Sequence, residues 1–150
     1  MQASDDSLDA TRASVDPEVA AEADRRAVEE RDAERVEQAE ALVDPTGVIL
    51  RSWQDLSDAI FALRRLTAGR GRPAKDIRTV LNQLIEDGLV SEDFATSVIE
   101  LRKVRNEVAH GVAPTGVTAQ AYALNADELR RLAKAKAAMM STGEESALTA

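Results

Sequence analysis

After residue 44, large apolar side chains recur along this chain at spacings of three and four residues. This is the period of one face of an α-helix, and it differs from the alternation typical of strands. In the first such segment these residues are Ile49, Trp53, Leu56, Ile60 and Leu63. β-branched alternation is missing, and the chain holds only four aromatic residues, which argues against a sheet. The spacing therefore predicts an all-α fold.

Turn-forming residues divide this pattern into separate helices. Asp44-Pro45 comes before the first helix, Gly88 follows the second, and Gly111 follows the third. Pro favours the start of a helix, whereas Gly favours its left-handed C-terminal cap. The predicted helices cover 47–67, 74–87, 92–110 and 118–140. Because short links join antiparallel neighbours, these helices predict an up-and-down four-helix bundle, which we place in a domain of residues 45–140.

The first 44 residues differ in charge from the rest. Residues 1–44 carry 14 acidic and 5 basic side chains, against 13 and 14 in residues 45–150. Asp16-Pro17 predicts the start of a helix rich in Ala, Glu and Arg that continues to about Val43. We interpret 1–44 as an acidic helical arm, either solvated or a weak coiled-coil strand, through which a protein partner could bind. The small polar residues of 141–150 predict a flexible tail.

Composition excludes several classes of chemistry. The chain has no cysteine and a single histidine. Disulfides and cysteine nucleophiles are therefore excluded, and an ordinary zinc site is not expected. The apolar runs are short and interrupted by charges, and the acidic N-terminus lacks the pattern of a signal peptide. We expect a cytoplasmic protein with no membrane span, no metal and no cofactor.

The one hint of chemistry lies in residues 101–111, which read LRKVRNEVAHG. Arg105 falls on the same predicted helix face as the apolar residues Phe94, Val98, Leu101 and Val108. A charge on such a face is costly unless it is paired or has a function. The single histidine, His110, follows five residues later, next to the Gly111 cap. The two residues are candidates for a site.

The order of motifs resembles one known family. A helix containing Ser52, Trp53 and Leu56 comes first, and the turn Asp87-Gly88-Leu89 follows, with Ser91-Glu92 after it. The next helix closes on Leu-Arg-x-x-Arg-Asn-x-x-x-His-Gly. Together these features are similar to the HEPN superfamily of helical bundles, in its small bacterial branch. The resemblance covers residues 48–140.

The resemblance implies an activity. Catalytic members of that family are metal-independent ribonucleases whose Arg-x(4–6)-His motifs face each other across a dimer. Carried over by position, the catalytic residues are Arg105, Asn106 and His110, and the protein is expected to form a homodimer. An acidic residue often follows the leucine of Trp-x-x-Leu in the family, whereas Ser57 stands there in this chain, which puts acidic support of the arginine in doubt.

Each motif residue also has a structural interpretation that the sequence leaves open. His110 could cap helix carbonyls or bond with Asn106 one turn away. Arg105 could form a buried ion pair with an acid such as Asp55, Asp58 or Glu100. In that case the domain would be a catalytically inert HEPN-like module that binds a protein or nucleotide partner.

Basic residues near the Gly-Arg-Gly-Arg loop form a second candidate site. Clustered cations favour contact with RNA or another phosphate. The candidate residues are Arg64, Arg65, Arg70, Arg72, Lys75, Arg78 and Arg102. No aromatic side chain stands beside the loop to stack on bases. A solvated helix end, or a site for the chain's own acidic arm, would produce the same pattern.

Overall fold

The structure is a computed structural model that describes residues 17–67 and 74–149, with side chains as far as residue 142. All regular secondary structure in these residues is α-helical, which confirms the predicted all-α class. The helices are α1 (Pro17–Val43), α2 (Pro45–Thr67), α3 (Ile77–Glu86), α4 (Glu92–Ala109) and α5 (Gly116–Thr149). None of the helices in the described residues is long and apolar enough to cross a membrane.

The chain divides into an N-terminal unit, Met1–Ala39, and a C-terminal unit, Glu40–Ala150. The division falls within α1, ahead of the Asp44-Pro45 break where the sequence places the domain boundary. In the described part of the N-terminal unit α1 is exposed almost throughout, and its one buried residue, Ala41, belongs to the C-terminal unit. A helix that is polar all round has no face to bury.

The core of the C-terminal unit is built around α2, which packs against α3, α4 and α5. The predicted apolar face of α2 is the buried one. Its fully enclosed side chains are Ile49, Leu56, Ile60 and Leu63. Trp53 lies at the edge of this core and is only partly buried. From α5, the side chain of Tyr122 completes the core beside α4.

The helix ends agree with the sequence at some positions and differ at others. Gly88 (φ +72°) and Gly111 (φ +104°) adopt the left-handed conformation expected of C-terminal caps. Ser91 caps α4, since its hydroxyl accepts a hydrogen bond from the Phe94 amide at 3.0 Å. Helix α3 begins at Ile77, three residues later than predicted. The sequence therefore predicts the helix ends that have a capping residue better than the start of α3, where no side chain caps the helix.

Helix α5 is longer than predicted at both ends. It begins at Gly116, where the Thr115 hydroxyl accepts a hydrogen bond from the Thr118 amide at 3.1 Å. It continues to Thr149 through residues that the sequence assigns to a flexible tail. Extending a helix that already exists adds one backbone hydrogen bond per residue without a new nucleation cost. Polar composition alone was therefore a poor guide to where the helix ends.

Candidate functional site

The candidate motif occupies the last turns of α4, and the helix end fixes the position of His110. The His110 amide donates to the carbonyls of Asn106 (3.0 Å) and Glu107 (3.2 Å), so this residue is the C-terminal cap. After Gly111 reverses the chain, the Val112 amide returns to the Glu107 carbonyl at 3.0 Å. The His110 side chain is exposed, and no hydrogen bond or ion pair holds its imidazole within the described residues. His110 therefore caps the helix through its backbone amide and not through its imidazole.

His110 and Asn106 line an open groove of about 500 Å³. The groove runs along α4 and also receives residues from the start of α3 and from the segment after Gly111. It combines three cations, two carboxylates and two apolar side chains with the two motif residues. The full lining is Arg78, Ile99, Glu100, Arg102, Lys103, Asn106, Glu107, His110 and Val112. An imidazole thus shares one open groove with three cationic side chains.

Arg105 does not line this groove. It is partly buried and lies close enough to Tyr122 of α5 for its charge to act on the phenol. Its Nε atom is buried without a hydrogen-bond partner, whereas its Nη1 donates to Asn106 Oδ1 at 3.3 Å. A guanidinium has no acceptor, so the Asn106 atom that it contacts must be the oxygen. The amide NH₂ of Asn106 is then the group that remains available to donate a hydrogen bond in the groove.

The buried ion pair considered for Arg105 is not formed. Among the described residues, no carboxylate lies within ion-pair distance of its guanidinium. Asp58 instead accepts a hydrogen bond from Gln54 at 2.8 Å, and Glu100 lines the groove. Ser57, at the position where the resemblance leads one to expect an acid, cannot supply the missing charge. Arg105 is therefore held by packing and by Asn106.

Tyr122 joins α4 to α5 behind the motif. Its hydroxyl donates to the Leu101 carbonyl at 2.9 Å, one turn before Arg105. Burial raises the pKa of the Tyr122 phenol well above its usual value, and the positive charge of Arg105 only partly opposes this shift. The phenol is thus protonated at neutral pH and can act as the donor. Nothing in the sequence spacing indicated that the charge of Arg105 would act on Tyr122.

The predicted cation cluster separates into groups with different surroundings. Arg64 is held between α2 and α3, where it donates to Gln83 at 2.7 Å and pairs with Asp87 at 3.3 Å. Arg65 and Lys75 are exposed but lie outside the groove lining. Arg70 and Arg72 belong to 68–73, outside the described residues. Arg64 therefore has a structural role in joining the two helices.

Two of the predicted cations do reach the groove. Arg78 is exposed and lines it, and so does Arg102, which also pairs with Asp76 across 3.9 Å. Lys103 also lines the groove, although it was absent from the predicted set. Its position could have been found, because Ile99, Lys103, Asn106 and His110 recur at spacings of four, three and four residues. This stripe is the groove face of α4.

Comparisons with protein-family models, with curated proteins and with solved structures find no match for this chain. In the part of the chain that the structure describes, no cluster of three or more potential ligands could hold a metal ion.

Proposed function

We propose that the C-terminal unit is a HEPN-like domain, with α2–α5 as its up-and-down four-helix bundle, and that it cleaves RNA in the groove beside His110. One observation carries the proposal: the only imidazole of the chain opens into the groove that also receives Arg78, Arg102 and Lys103. Imidazole is the side chain best suited to accept and return a proton near neutral pH. Arginine forks bind phosphate oxygens and stabilise the charge of a phosphorane-like transition state.

The reaction that fits these groups is internal transesterification of RNA. The ribose 2′-oxygen attacks the adjacent phosphorus while His110 accepts the 2′-hydroxyl proton. The bond from phosphorus to the 5′-oxygen of the next nucleotide breaks. The products are a 2′,3′-cyclic phosphate and a 5′-hydroxyl end. Because the nucleophile belongs to the substrate, the protein needs only proton transfer, orientation and charge stabilisation, and no metal enters the proposed step.

The leaving 5′-oxygen must receive a proton in the same reaction. A single imidazole that has just accepted one proton cannot donate another in the same step. We therefore propose a homodimer in which the His110 of a second copy acts as the acid. The resemblance to the HEPN superfamily supports this arrangement, since its catalytic members pair their motifs across a dimer.

Arg105 acts indirectly in this proposal. Its Nη1 donates a hydrogen bond to Oδ1 of Asn106. This contact orients the Asn106 amide so that its NH₂ can donate to a phosphate oxygen in the groove. Arg105 is then a positioning residue, while Arg102 and Arg78 contact the phosphate. This modifies the role that the resemblance implies for Arg105, because that role needs the guanidinium at the substrate.

Cleavage of mixed RNA in the presence of EDTA tests the proposal. We expect the wild-type protein to produce 2′,3′-cyclic phosphate ends and His110→Ala to lose at least about 100-fold in rate, the usual loss when an acid–base group is removed. Arg102→Ala is expected to weaken RNA binding and to reduce its salt dependence. The matched control is Arg65→Ala, which removes the same charge from an exposed position outside the groove.

The proposal is wrong if the wild-type protein cuts no RNA, or if His110→Ala cuts it equally fast. A specific observation favours a second candidate in that case, a non-catalytic RNA-binding module. Arg105 lies away from the groove, and the three cations that remain there need only bind phosphate. Salt-dependent RNA binding that Arg102→Ala weakens, without any cleavage, would support the module. Absence of binding as well would exclude both functions.

A further inference from the structure

Helix α5 carries apolar side chains on two opposite faces, and only one of them is buried. The inner face, which packs into the core, consists of Ala119, Tyr122, Ala123, Ala126 and Ala133. The opposite face, which we call the outer stripe, consists of Val117, Ala121, Leu124, Leu132, Ala135 and Met139. At 100° per residue these six positions fall within an arc of about 80°. A helix that is apolar on both sides normally has partners on both sides.

The outer stripe is accessible over its whole length. Its four large side chains, Val117, Leu124, Leu132 and Met139, are 74%, 55%, 53% and 67% exposed. The stripe extends from Val117 to Met139, which corresponds to about 33 Å along the helix axis. Single exposed apolar residues are ordinary on a surface, but four large ones aligned along one helix face, with only Glu128 between the two halves, indicate an interaction surface.

The outer stripe is symmetric about Glu128. Leu124 and Leu132 stand four residues before and after it. Ala121 and Ala135 stand seven residues away, and Val117 and Met139 stand eleven away. Reversing the helix about Glu128 therefore places each stripe residue opposite an apolar residue of similar size. A surface that matches its own reversed copy is what a two-fold symmetric interface requires.

We propose that the outer stripe binds a second copy of this chain, with two α5 helices antiparallel and the two-fold axis at Glu128. Leu124 of each protomer packs against Leu132 of its partner, and Val117 packs against Met139. Antiparallel pairing puts the first turns of the two α5 helices, each shortly after its own His110, at opposite ends of the pair. The contact is therefore separate from the one that would bring two His110 side chains together, and it does not depend on RNA cleavage. It commits to a register in which residue i faces residue 256 − i.

Charge favours the antiparallel arrangement over the parallel one. The basic residues Arg131, Lys134 and Lys136 lie in the second half of the stripe region. Parallel helices would place each of them beside its own copy, whereas antiparallel helices place them along the less basic first half of the partner. At the axis the two Glu128 side chains approach each other. Arg131 of each partner, whose Nε pairs with Asp127 of its own chain at 3.0 Å, lies three residues away, about 4.5 Å along the helix, and its remaining guanidinium nitrogens can also reach Glu128.

The acidic arm does not offer a comparable surface. Within residues 17–39 its exposed valines, Val19, Val28 and Val36, are separated by nine and eight residues. At 100° per residue they point in directions about 180° and 80° apart and form no stripe. Charged residues and alanines make up most of the rest of α1, and its two last residues, Leu42 and Val43, are adjacent and also form no stripe. A second α5 is therefore the occupant that matches the outer stripe in length and in sequence.

Sedimentation equilibrium of the full chain tests the surface. We expect a dimer for the wild type and at least a tenfold larger dissociation constant for Leu124→Glu, since each dimer would bury two new carboxylates. Val36→Glu is the matched control, because it places the same charge at an exposed valine of α1 and is expected to leave the dimer intact. A wild type that remains monomeric at all concentrations overturns the proposal. So does a dimer that Leu124→Glu does not weaken.

Disulfide crosslinking tests the register, and the absence of natural cysteine makes it specific. Under mild oxidation, Glu128→Cys is expected to crosslink to itself, since the axis brings the two α-carbons together. Leu124→Cys alone should crosslink poorly, whereas a mixture of Leu124→Cys with Leu132→Cys should form heterodimers. Efficient self-crosslinking of Leu124→Cys would indicate parallel helices and overturn the antiparallel register. Circular dichroism of each variant confirms that it is folded, so a failed crosslink counts against the register.

Discussion

The two sides of α4 have opposite chemical character, although their residues alternate along one short sequence. The inner side presents Val98, Leu101 and Val108 to the core, with Arg105 among them. The groove side presents polar and charged groups to solvent, with His110 at its end. The inner side holds the helix in place, and the groove side is free to contact a ligand. The motif is thus continuous in sequence, but Arg105 lies on the packed side of the helix and His110 on the side that faces the groove.

The division follows from helix geometry. Arg105 and His110 are five residues apart, which corresponds to about 140° around the helix axis. Asn106 and His110, at a spacing of four residues, differ by only about 40° and share the groove. A side-chain hydrogen bond from Arg105 to Asn106 links the inner side of α4 to its groove side. Substitutions of the apolar residues on the inner side should therefore change stability, and those on the groove side should change function.

The largest expected effect is on the inner side, at Leu101. Leu101→Ala should lower the free energy of unfolding by about 2–5 kcal/mol, because it leaves a cavity in the core beside Tyr122. Chemical denaturation followed by circular dichroism measures the loss. Lys103→Ala, two residues away on the groove side, is the control and should change stability by less than about 0.5 kcal/mol. Equal losses for both variants would contradict the division of α4 into two sides.

The helices and the apolar face of α2 could be predicted because they depend on local spacing and on caps. Ile60 and Leu63 are buried where the helical period places them, and Gly88 adopts the conformation that a cap requires. The helical extension beyond Met140 was missed because it depends on continuing an existing helix through polar residues. Local pattern therefore predicts helices more reliably than it predicts their ends.

The candidate site could be predicted only in part. Asn106 and His110 share the groove as the motif suggests, and the period along α4 would also have included Lys103. The environment of Arg105 depends on which helix packs behind it, and Tyr122 is distant in sequence. The environment of Arg64 was equally hidden, because its partners Gln83 and Asp87 lie in α3 and at the C-terminal end of that helix. Charge clusters in a sequence do not reveal which members are already paired.

An intermediate effect is expected at Tyr122, the contact between α5 and the inner side of α4. Tyr122→Phe should cost about 1 kcal/mol at neutral pH, since it removes the hydrogen bond to the Leu101 carbonyl. The pKa of this phenol is raised on folding, so its protonated form is the one that the folded state favours. Above about pH 10 the unfolded tyrosine ionises and the wild type loses stability, whereas the variant has no such loss.

The stability difference between the two proteins should therefore shrink as the pH rises above about 10. Denaturation at a series of alkaline pH values measures it, and Tyr122 is the only tyrosine, so tyrosinate absorbance reports its ionisation directly. A phenol that titrates near its ordinary value in the folded protein would contradict the buried contact. Groups other than Tyr122 titrate in both proteins and cancel in the difference.

The smallest expected effect is at Arg105, the charged residue on the inner side. Breaking a buried ion pair by removing one partner typically costs about 3–5 kcal/mol. Arg105 has no such partner in the described residues, and its Nε is buried without a hydrogen bond. Arg105→Met keeps most of the apolar stem and removes this unsatisfied group, so we expect stability to change by less than about 1 kcal/mol in either direction.

Denaturation and RNA cleavage, measured on the same Arg105→Met preparation, separate packing from positioning. If Arg105 orients Asn106, cleavage should fall while stability is kept, and Asn106→Ala should lower cleavage by a similar factor. The double variant should then lose little more than either single one, because both residues act through the same amide. A loss of 3–5 kcal/mol in Arg105→Met would instead reveal a missing acidic partner and make Arg105 a structural residue. Additive losses in cleavage would mean that Arg105 reaches the phosphate by itself, as the resemblance to the HEPN motif implies.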